Sequence, residues 1–543
     1  MINLRYIVCG LLMMAMGMSS CSSFLSLDPT DSVTEDNFYQ NRDHAYTALI
    51  GIYEPLRSDF TITYNPIALS SDIQSDDAYV GGGSASDMIN WQRMARFNAR
   101  PQEDAVRGIW KKCYRGISRA NMMLAKYDGI TFKTTEETDK NNFKGETLFL
   151  RGHYYFELLR FFENVPLITS PLYSDDWTNS TQEDPKLVYA QATTDMLDGM
   201  ALMGDAVSAD QSGRLSKWAA KAELVKMFLF YTGYYNESAL PTADGGTFTA
   251  ADAMAMADDV IANSGAALMD DFATLFTAEG NFCKEALFDI PFVDNNSGSW
   301  NDTDMGNYQC AMSGPRGWNN SLLADGWGFG TVTANLVNQF TDEDLRAKST
   351  FISAEDLIQM ELDAGADPNS LSLQPSFTNT GYFAFKYTTH AANKPAANFP
   401  NNWGQNIHYI RLADVYLMAA ELHLKNGGSK AAEYVNIVRE RAGLSDLTAV
   451  TMDDIMSERR KELAMEGHRY FDLLRQGLEV AKTQIEKKAE GLQAPTMEDF
   501  PATGRNSADA DYAVTFDLTK RGFWPIPQNE IDLNSNLKQN DGY

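Results

Sequence analysis

Apolar residues recur at three- and four-residue spacing along some stretches of the chain and lose all period in others. Leu148, Gly152, Tyr155, Leu159 and Phe162 form one stripe, closed by Asn164 and Pro166; such spacing predicts a helix with one buried face. Ile410, Ala413, Leu417, Ala420 and Leu424 form another, which stops at Asn426-Gly427-Gly428, a helix-breaking run. Ser429 is placed to cap a following helix with Ala431, Val435, Val438 and Ala442 inward and Gly443 at its end. The span 409–443 is close to the ~34 residues of a tetratricopeptide helix pair. Similar pairs are predicted for 45–57 with 105–127, 142–163 with 186–203, and 215–235 with 250–264, with Ala219, Ala220 and Ala222 set for close approach before Leu224 and Phe228. The expected fold class is mostly α, a stack of helix pairs.

Between these helices lie aperiodic stretches, predicted to be loops. Residues 58–104 carry Asp72, Asp76, Asp77, Tyr79, Gly81-Gly82-Gly83 and Trp91. A second region, about 278–335, is densest at 291–330, where seven Gly, six Asn and three Trp occur with Arg316 as the lone cation. Long irregular insertions in a compact body are usually functional or disordered, and three Trp argue against disorder. Residues 488–512 read as another surface excursion.

Composition narrows the function classes. The 543 residues hold 45 basic and 73 acidic side chains, a formal charge of −28. Nucleic-acid binding rests on clustered Lys and Arg, so no nucleic-acid partner is expected; a basic patch on an anionic bilayer is equally unsupported. The 24 Tyr, 29 Phe and 9 Trp offer flat apolar faces for a core or for a neutral ligand. Five Cys without a C-x-x-C pair support neither a zinc ribbon nor a disulfide framework; a Cys283–Cys310 bridge is conceivable, three buried free thiols fit better. At the N-terminus, Arg5 precedes an apolar run from Ile7 to Met18, then Ser19-Ser20-Cys21. This is a secretory signal over 1–20, too short to span a bilayer. Cys21 stands where a bacterial lipoprotein is acylated, which would tether the body (21–543) without crossing the membrane.

Catalytic signatures are absent: no H-E-x-x-H, no G-x-S-x-G, no phosphate-binding loop. The six His do not share a helical turn, as a metal pair would. Glu458, Glu462 and Glu466 repeat every fourth residue behind a Thr451/Asp454 capping box. Like charges so spaced repel, so Arg411, Arg439 and Arg441 are expected to neutralise them, and structural ion pairing is preferred over catalysis. No cofactor is expected. Asp294, Asn295, Asn296, Asp302 and Asp304 could offer oxygens to a structural Ca²⁺ but miss the calcium-loop spacing.

Several segments, in order, resemble the SusD/RagB family of outer-membrane lipoproteins. They are Phe24-Leu25-Ser26-Leu27-Asp28-Pro29; Ala48-Leu49-Ile50-Gly51-Ile52-Tyr53; Leu150-Arg151-Gly152-His153-Tyr154-Tyr155 with Val165-Pro166-Leu167; and Gly326-Trp327-Gly328 with Asp344 and Arg346. Further along come Ile410-Arg411-Leu412-Ala413-Asp414, Val438-Arg439-Glu440-Arg441, Glu458 through Asp472, and Trp524-Pro525-Ile526-Pro527. The resemblance implies a right-handed superhelix of four tetratricopeptide-like pairs carrying a large irregular insertion. It also implies a non-enzymatic, cell-surface glycan-binding lipoprotein of the outer membrane that delivers oligo- or polysaccharide to a SusC-like TonB-dependent transporter. A RagB-like peptide binder, a glycoside hydrolase or lyase, and a ligand-free scaffold are the alternatives.

Sugar rings pack C–H faces on aromatics while their hydroxyls pair with polar side chains, and two or three aromatics dominate such a site. The expected ligand contacts are therefore Asp77, Tyr79 and Trp91 from the first loop region, and Trp300, Tyr308, Trp318 and Asn319 from the second. Trp110, Trp218 and Trp327 are expected to be core.

Overall fold

The computed structural model describes residues 38–58, 66–173, 176–296, 298–299, 305–371, 373–374, 377–397, 400, 402–488 and 513–543. The helical stripes become helices α1 (Arg42–Arg57), α2 (Asp104–Lys126), α3 (Glu137–Phe162), α4 (Pro185–Leu202), α5 (Lys217–Tyr235), α6 (Ala250–Asn263), α7 (Leu412–Lys425) and α8 (Ala431–Arg441). They pack as the pairs α1/α2, α3/α4, α5/α6 and α7/α8, and each pair rests on the next through α2/α3, α4/α5 and α6/α7. The expected mostly helical fold is what the chain adopts.

Close approach in the α3/α4 pair depends on missing side chains. A Cβ on Gly145 would lie 2.6 Å from the Gly199 carbonyl oxygen, and one on Gly199 would lie 2.7 Å from that of Gly145. The two backbones therefore touch directly. One local expectation fails: Ser429 does not cap α8, whose first turn is preceded by Lys430 without a side-chain cap bond.

The loop regions are more ordered than their lack of period suggests. Residues 58–104 contain short helices Ile67–Gln74 and Ile89–Met94 and the strand β1 (Ala78–Gly81). Two further strands, β2 (Ala239–Pro241) and β3 (Thr247–Thr249), form a hairpin before α6. The second region holds β4 (Ala286–Ile290) and β5 (Phe329–Val332), followed by β6 (Phe351–Ser353), β7 (Tyr382–Ala384) and β8 (Ile407–Arg411). All pair antiparallel: β1 with β5, β4 with β8, β6 with β7. These small sheets close three apolar clusters separate from the main core, around Trp403, Trp318 and Val332. Residues 489–512, most of the excursion expected at 488–512, lie outside the described residues.

What joins the two halves is buried charge. The capping box of Thr451 and Asp454 starts α9 (Met452–Glu462) as expected. Glu466 lies past the end of that helix rather than on its face, beyond Met465 at a positive φ of 62°. The expected cations do reach the three carboxylates. Arg411 bonds Glu462 at 2.9 Å and Glu466 at 2.8 Å, Arg439 bonds Glu458 at 3.1 Å, and Arg441 pairs with Glu462. Arg346, fully buried, adds Asp344 at 2.7 Å, Glu458 at 2.7 Å and Glu462 at 3.1 Å, and Lys386 bonds Glu466 at 2.7 Å. Arg346 and Lys386 come from the inserted chain, so each ties that chain to the end of α9. Downstream, α10 (Arg469–Gln476) continues the pattern through Arg469, which bonds Asp76 at 2.8 Å.

Cys113, Cys283 and Cys310 are free thiols; Cys283 is only half-buried, the other two buried, so no bridge forms between Cys283 and Cys310.

Burial pushes the Glu466 carboxyl up, but Arg411 and Lys386 outweigh it and hold it at about 2. Asp472 is likewise brought to about 2 by Arg459 and Arg475 against burial, and Asp76 to about 2 by Arg469 and Arg460. Carboxyls whose folded values lie below those of the unfolded chain (about 4) stabilise fully above that value and lose the contribution as pH falls toward the folded one. Through these three groups the melting temperature should fall as pH drops from about 4 to about 2, measured by circular dichroism. Arg346→Met removes one cation shared by three buried carboxylates and should cost about 3–5 kcal/mol in urea unfolding.

Candidate functional site on the loop face

Three loop segments converge, and glycine sets how closely. Gly81 and Gly82 adopt φ of 74° and 83°, a region open mainly to glycine. A Cβ on Gly81 would sit 2.2 Å from the Gly328 carbonyl oxygen, which instead accepts the Gly82 N–H at 2.8 Å. Gly314 and Gly326 cross with equal closeness, 2.4 Å from the Gly326 Cβ position to the Gly314 backbone. Phe377 N–H donates to Gly82 O at 2.7 Å and Gln374 N–H to Arg316 O at 2.9 Å. Segments 81–90 and 314–328 and residues 373, 374 and 377–379 are thus laced into one surface.

That surface is polar. The Arg316 guanidinium lies over Gly83, 3.1 Å from where a Cβ would stand. Half-buried, it makes no hydrogen bond or ion pair among the described residues. The exposed Asp325 carboxylate accepts the Gly317 N–H at 2.6 Å, and the Asp87 carboxylate accepts that of Gly83 at 2.7 Å. The Gln374 side chain covers Gly317, Asn319 stands exposed, and Ile89 shows an apolar side chain that is 41% exposed. A forked cation, two amides and carboxylates held on rigid backbone can bind hydroxyl groups.

Of the expected ligand contacts, Asn319 alone is at the surface among the described residues. Trp300 lies outside them. The other five require correction. Asp77 is buried, with Oδ1 accepting from Arg460 at 2.8 Å; a carboxylate so placed anchors the loop to α9. Tyr79 is in β1 opposite Thr331, its hydroxyl donating to the Lys488 carbonyl. Trp91 is fully buried against Phe329, ring centroids 5.7 Å apart. Tyr308 is 2% exposed and belongs to the main core. Trp318 is fully buried with Leu323, Ile352, Leu357 and Phe383. Tyr79, Trp91 and Tyr308 thus join the main core, while Trp318 closes a smaller cluster of the insertion's own. Trp110 and Trp218 are core as expected, and Trp327 is half-buried against two clusters. Arg316, Asp325 and Gln374 were not anticipated; the one signal was Arg316 as lone cation among forty positions.

Two clusters of carboxylates carry groups that could serve metal or catalytic chemistry. Asp294, a candidate calcium ligand, spends Oδ1 on Asn296 N–H at 2.8 Å and Oδ2 on Ala396 N–H at 2.7 Å, and so pins a turn; Asp302 and Asp304 lie outside the described residues. The ligating atoms of His153, Glu157 and Glu223 fall within 4.8 Å of one another in the interior. Arg160 pairs with Glu157, and Lys226, which burial lowers to about 8, pairs with Asp414 at 3.9 Å. Glu157 also accepts from the Tyr409 hydroxyl, which reaches Glu223 at 3.2 Å. Glu458 is clamped between Arg346, Arg439 and Lys461, which makes it a structural ion pair. No described helix is long and apolar enough to cross a membrane.

If Trp318 holds the insertion together from inside, Trp318→Ala should lower stability by about 3–5 kcal/mol; an unchanged melting temperature would mean the ring is outside.

Comparison with known proteins agrees along nearly the whole chain. Residues 284–543 match the model of the SusD family, and residues 49–229 match a model described as starch-binding associating with outer membrane. A SusD-like protein of Bacteroides ovatus is 26% identical over 84% of this chain and 80% of its own. Among solved structures, a laminarin binding SusD-like protein is 30% identical with a TM-score of 0.75, covering 93% of this chain and 100% of its own. Surface glycan-binding protein A from Bacteroides thetaiotaomicron, in complex with laminarihexaose, is 26% identical with a TM-score of 0.77, over 92% and 99% of the two chains. Helix pairs stacked in order, an inserted loop half bolted to them through buried arginines, and similarity at this coverage lead to one assignment: the chain belongs to the SusD/RagB family.

Proposed function

We propose that this protein is a glycan-binding lipoprotein of the outer cell surface, which captures oligo- or polysaccharide on the loop face and passes it to a SusC-like TonB-dependent transporter. The observation that carries the reading is the near end-to-end likeness to a laminarin binding protein and to one solved with laminarihexaose. Acylation at Cys21 supplies the tether, and the match to an outer-membrane-associating starch-binding family supports that location.

Capture needs no bond to be made or broken. The Arg316 guanidinium, Asn319 and Gln374 donate to sugar hydroxyls, and Asp325 accepts from them. Trp300 supplies the flat apolar face for the C–H side of a ring. Because the supporting backbone is laced together beforehand, little conformational entropy is lost on binding. The protein is not an enzyme in this reading: Glu458, the carboxylate best placed by motif, is tied into buried ion pairs.

Laminarihexaose is the first probe, by isothermal titration. Arg316→Ala removes hydrogen bonds from a charged donor and should weaken binding about ten- to a hundredfold without moving the melting temperature. Affinity unchanged in this variant, for a glycan the wild type binds, would contradict the loop-face site. Release of shortened sugars on long incubation would contradict the non-catalytic reading.

A further inference from the structure

One large aromatic stands outside the loop face in an unusual backbone state. Phe282 is 44% exposed, with φ at +54°, a conformation that bulky residues seldom hold. Its neighbours impose that conformation. The Phe282 N–H donates to Asp289 Oδ2 at 2.9 Å, Asn281 Nδ2 donates to the Gly404 carbonyl at 2.7 Å, and Asn281 Oδ1 accepts from Asn406 N–H at 2.8 Å. Asp289 is itself fixed by His408 at 2.6 Å. The turn is thus over-determined, and its outcome is an exposed benzyl ring. Strain held in place by surrounding bonds clusters where a side chain must be presented.

The ring borders a hollow of about 330 Å³ between the N-terminus of α5 and the start of β4, a size within the range of small-ligand sites. Gly213, at φ +94°, forms part of its wall: a Cβ there would lie 3.3 Å from the Phe282 ring. Trp218 contributes an edge, with Lys217 and Lys221 each 4.7 Å over its face. Ser216 occupies the N-cap of α5, yet its hydroxyl makes no cap hydrogen bond, contrary to the usual role of serine there. Its donor and acceptor are therefore available to the hollow. The charged lining groups are already matched, Asp205 with Lys217, Arg214 with Glu146, and Lys284 with Asp270 at 3.4 Å. A neutral ligand with an apolar face and several hydroxyls fits this lining better than an ion does.

We infer that the Phe282 hollow is a second saccharide-binding site, separate from the loop face, in which a neutral sugar ring stacks on Phe282 and bonds Ser216. The inference takes its ligand class from the proposed function but none of its residues.

The test uses Phe282→Gly in the full chain, because glycine accepts a positive φ without strain. Laminarihexaose is titrated calorimetrically into wild type, Phe282→Gly, Arg316→Ala and the double variant. Two sites per chain are expected for wild type; Arg316→Ala weakens one about ten- to a hundredfold, Phe282→Gly removes the other, and the double variant keeps only the weakened site, with the melting temperature of Phe282→Gly unchanged or raised. One sugar per chain, lost in Arg316→Ala and untouched in Phe282→Gly, would overturn this inference and leave the loop-face reading standing. One sugar lost in Phe282→Gly and untouched in Arg316→Ala would do the reverse. A Phe282→Gly variant that melts lower and binds as wild type would assign the ring a packing role and overturn the inference.

Discussion

The structure depends on guanidinium groups buried among carboxylates where helix α9 meets the inserted chain. Arg346 and Arg411 are 0% and 1% exposed and between them bridge Asp344, Glu285, Glu458, Glu462 and Glu466. Burying charge is costly unless every partner is in place, so these groups specify one arrangement of the two halves. Arg460 extends the lattice to Asp76 and Asp77 at 3.0 and 2.7 Å, and Arg469 to Asp76. The loop carrying β1 is thereby fixed to the same helices.

That constraint explains the character of the loop face. The rings of Tyr79, Trp91 and Tyr308 are spent on the main core and that of Trp318 on a cluster of the insertion's own, and its glycines allow backbone to lie on backbone. What is left for solvent is mostly polar: Arg316, Asn319, Asp325 and Gln374. A binding surface of this kind is pre-organised by anchors behind it, and loop sequence in front of it can vary without disturbing those anchors. Family resemblance therefore identifies the body more sharply than the ligand.

The helix pairs were legible in the sequence because their apolar spacing is long and uninterrupted; predicted and observed bounds for 186–203 and Pro185–Leu202 differ by one residue at each end. The charges facing Glu458 and Glu462 were legible too, since repelling carboxylates demand cations. The site was much less so. Trp91 and Trp318 sit in stretches without helical period, yet the fold buries both, Trp91 against Phe329 in the main core and Trp318 among distant residues such as Ile352 and Leu357. Such contacts leave no local period. Asp77 misled for a related reason: a turn-forming aspartate and a salt-bridged anchor look alike until Arg460, far along the chain, is brought beside it.

The central claim is that a pre-formed polar loop face, rather than the helix stack, takes hold of glycan. Hydrogen–deuterium exchange with and without saturating laminarihexaose tests this most directly. The account predicts slowed exchange in 81–90, 314–328 and 373–379, with exchange in α7 and α8 unchanged. Protection confined to the α7/α8 pair, with none in those three segments, would contradict it.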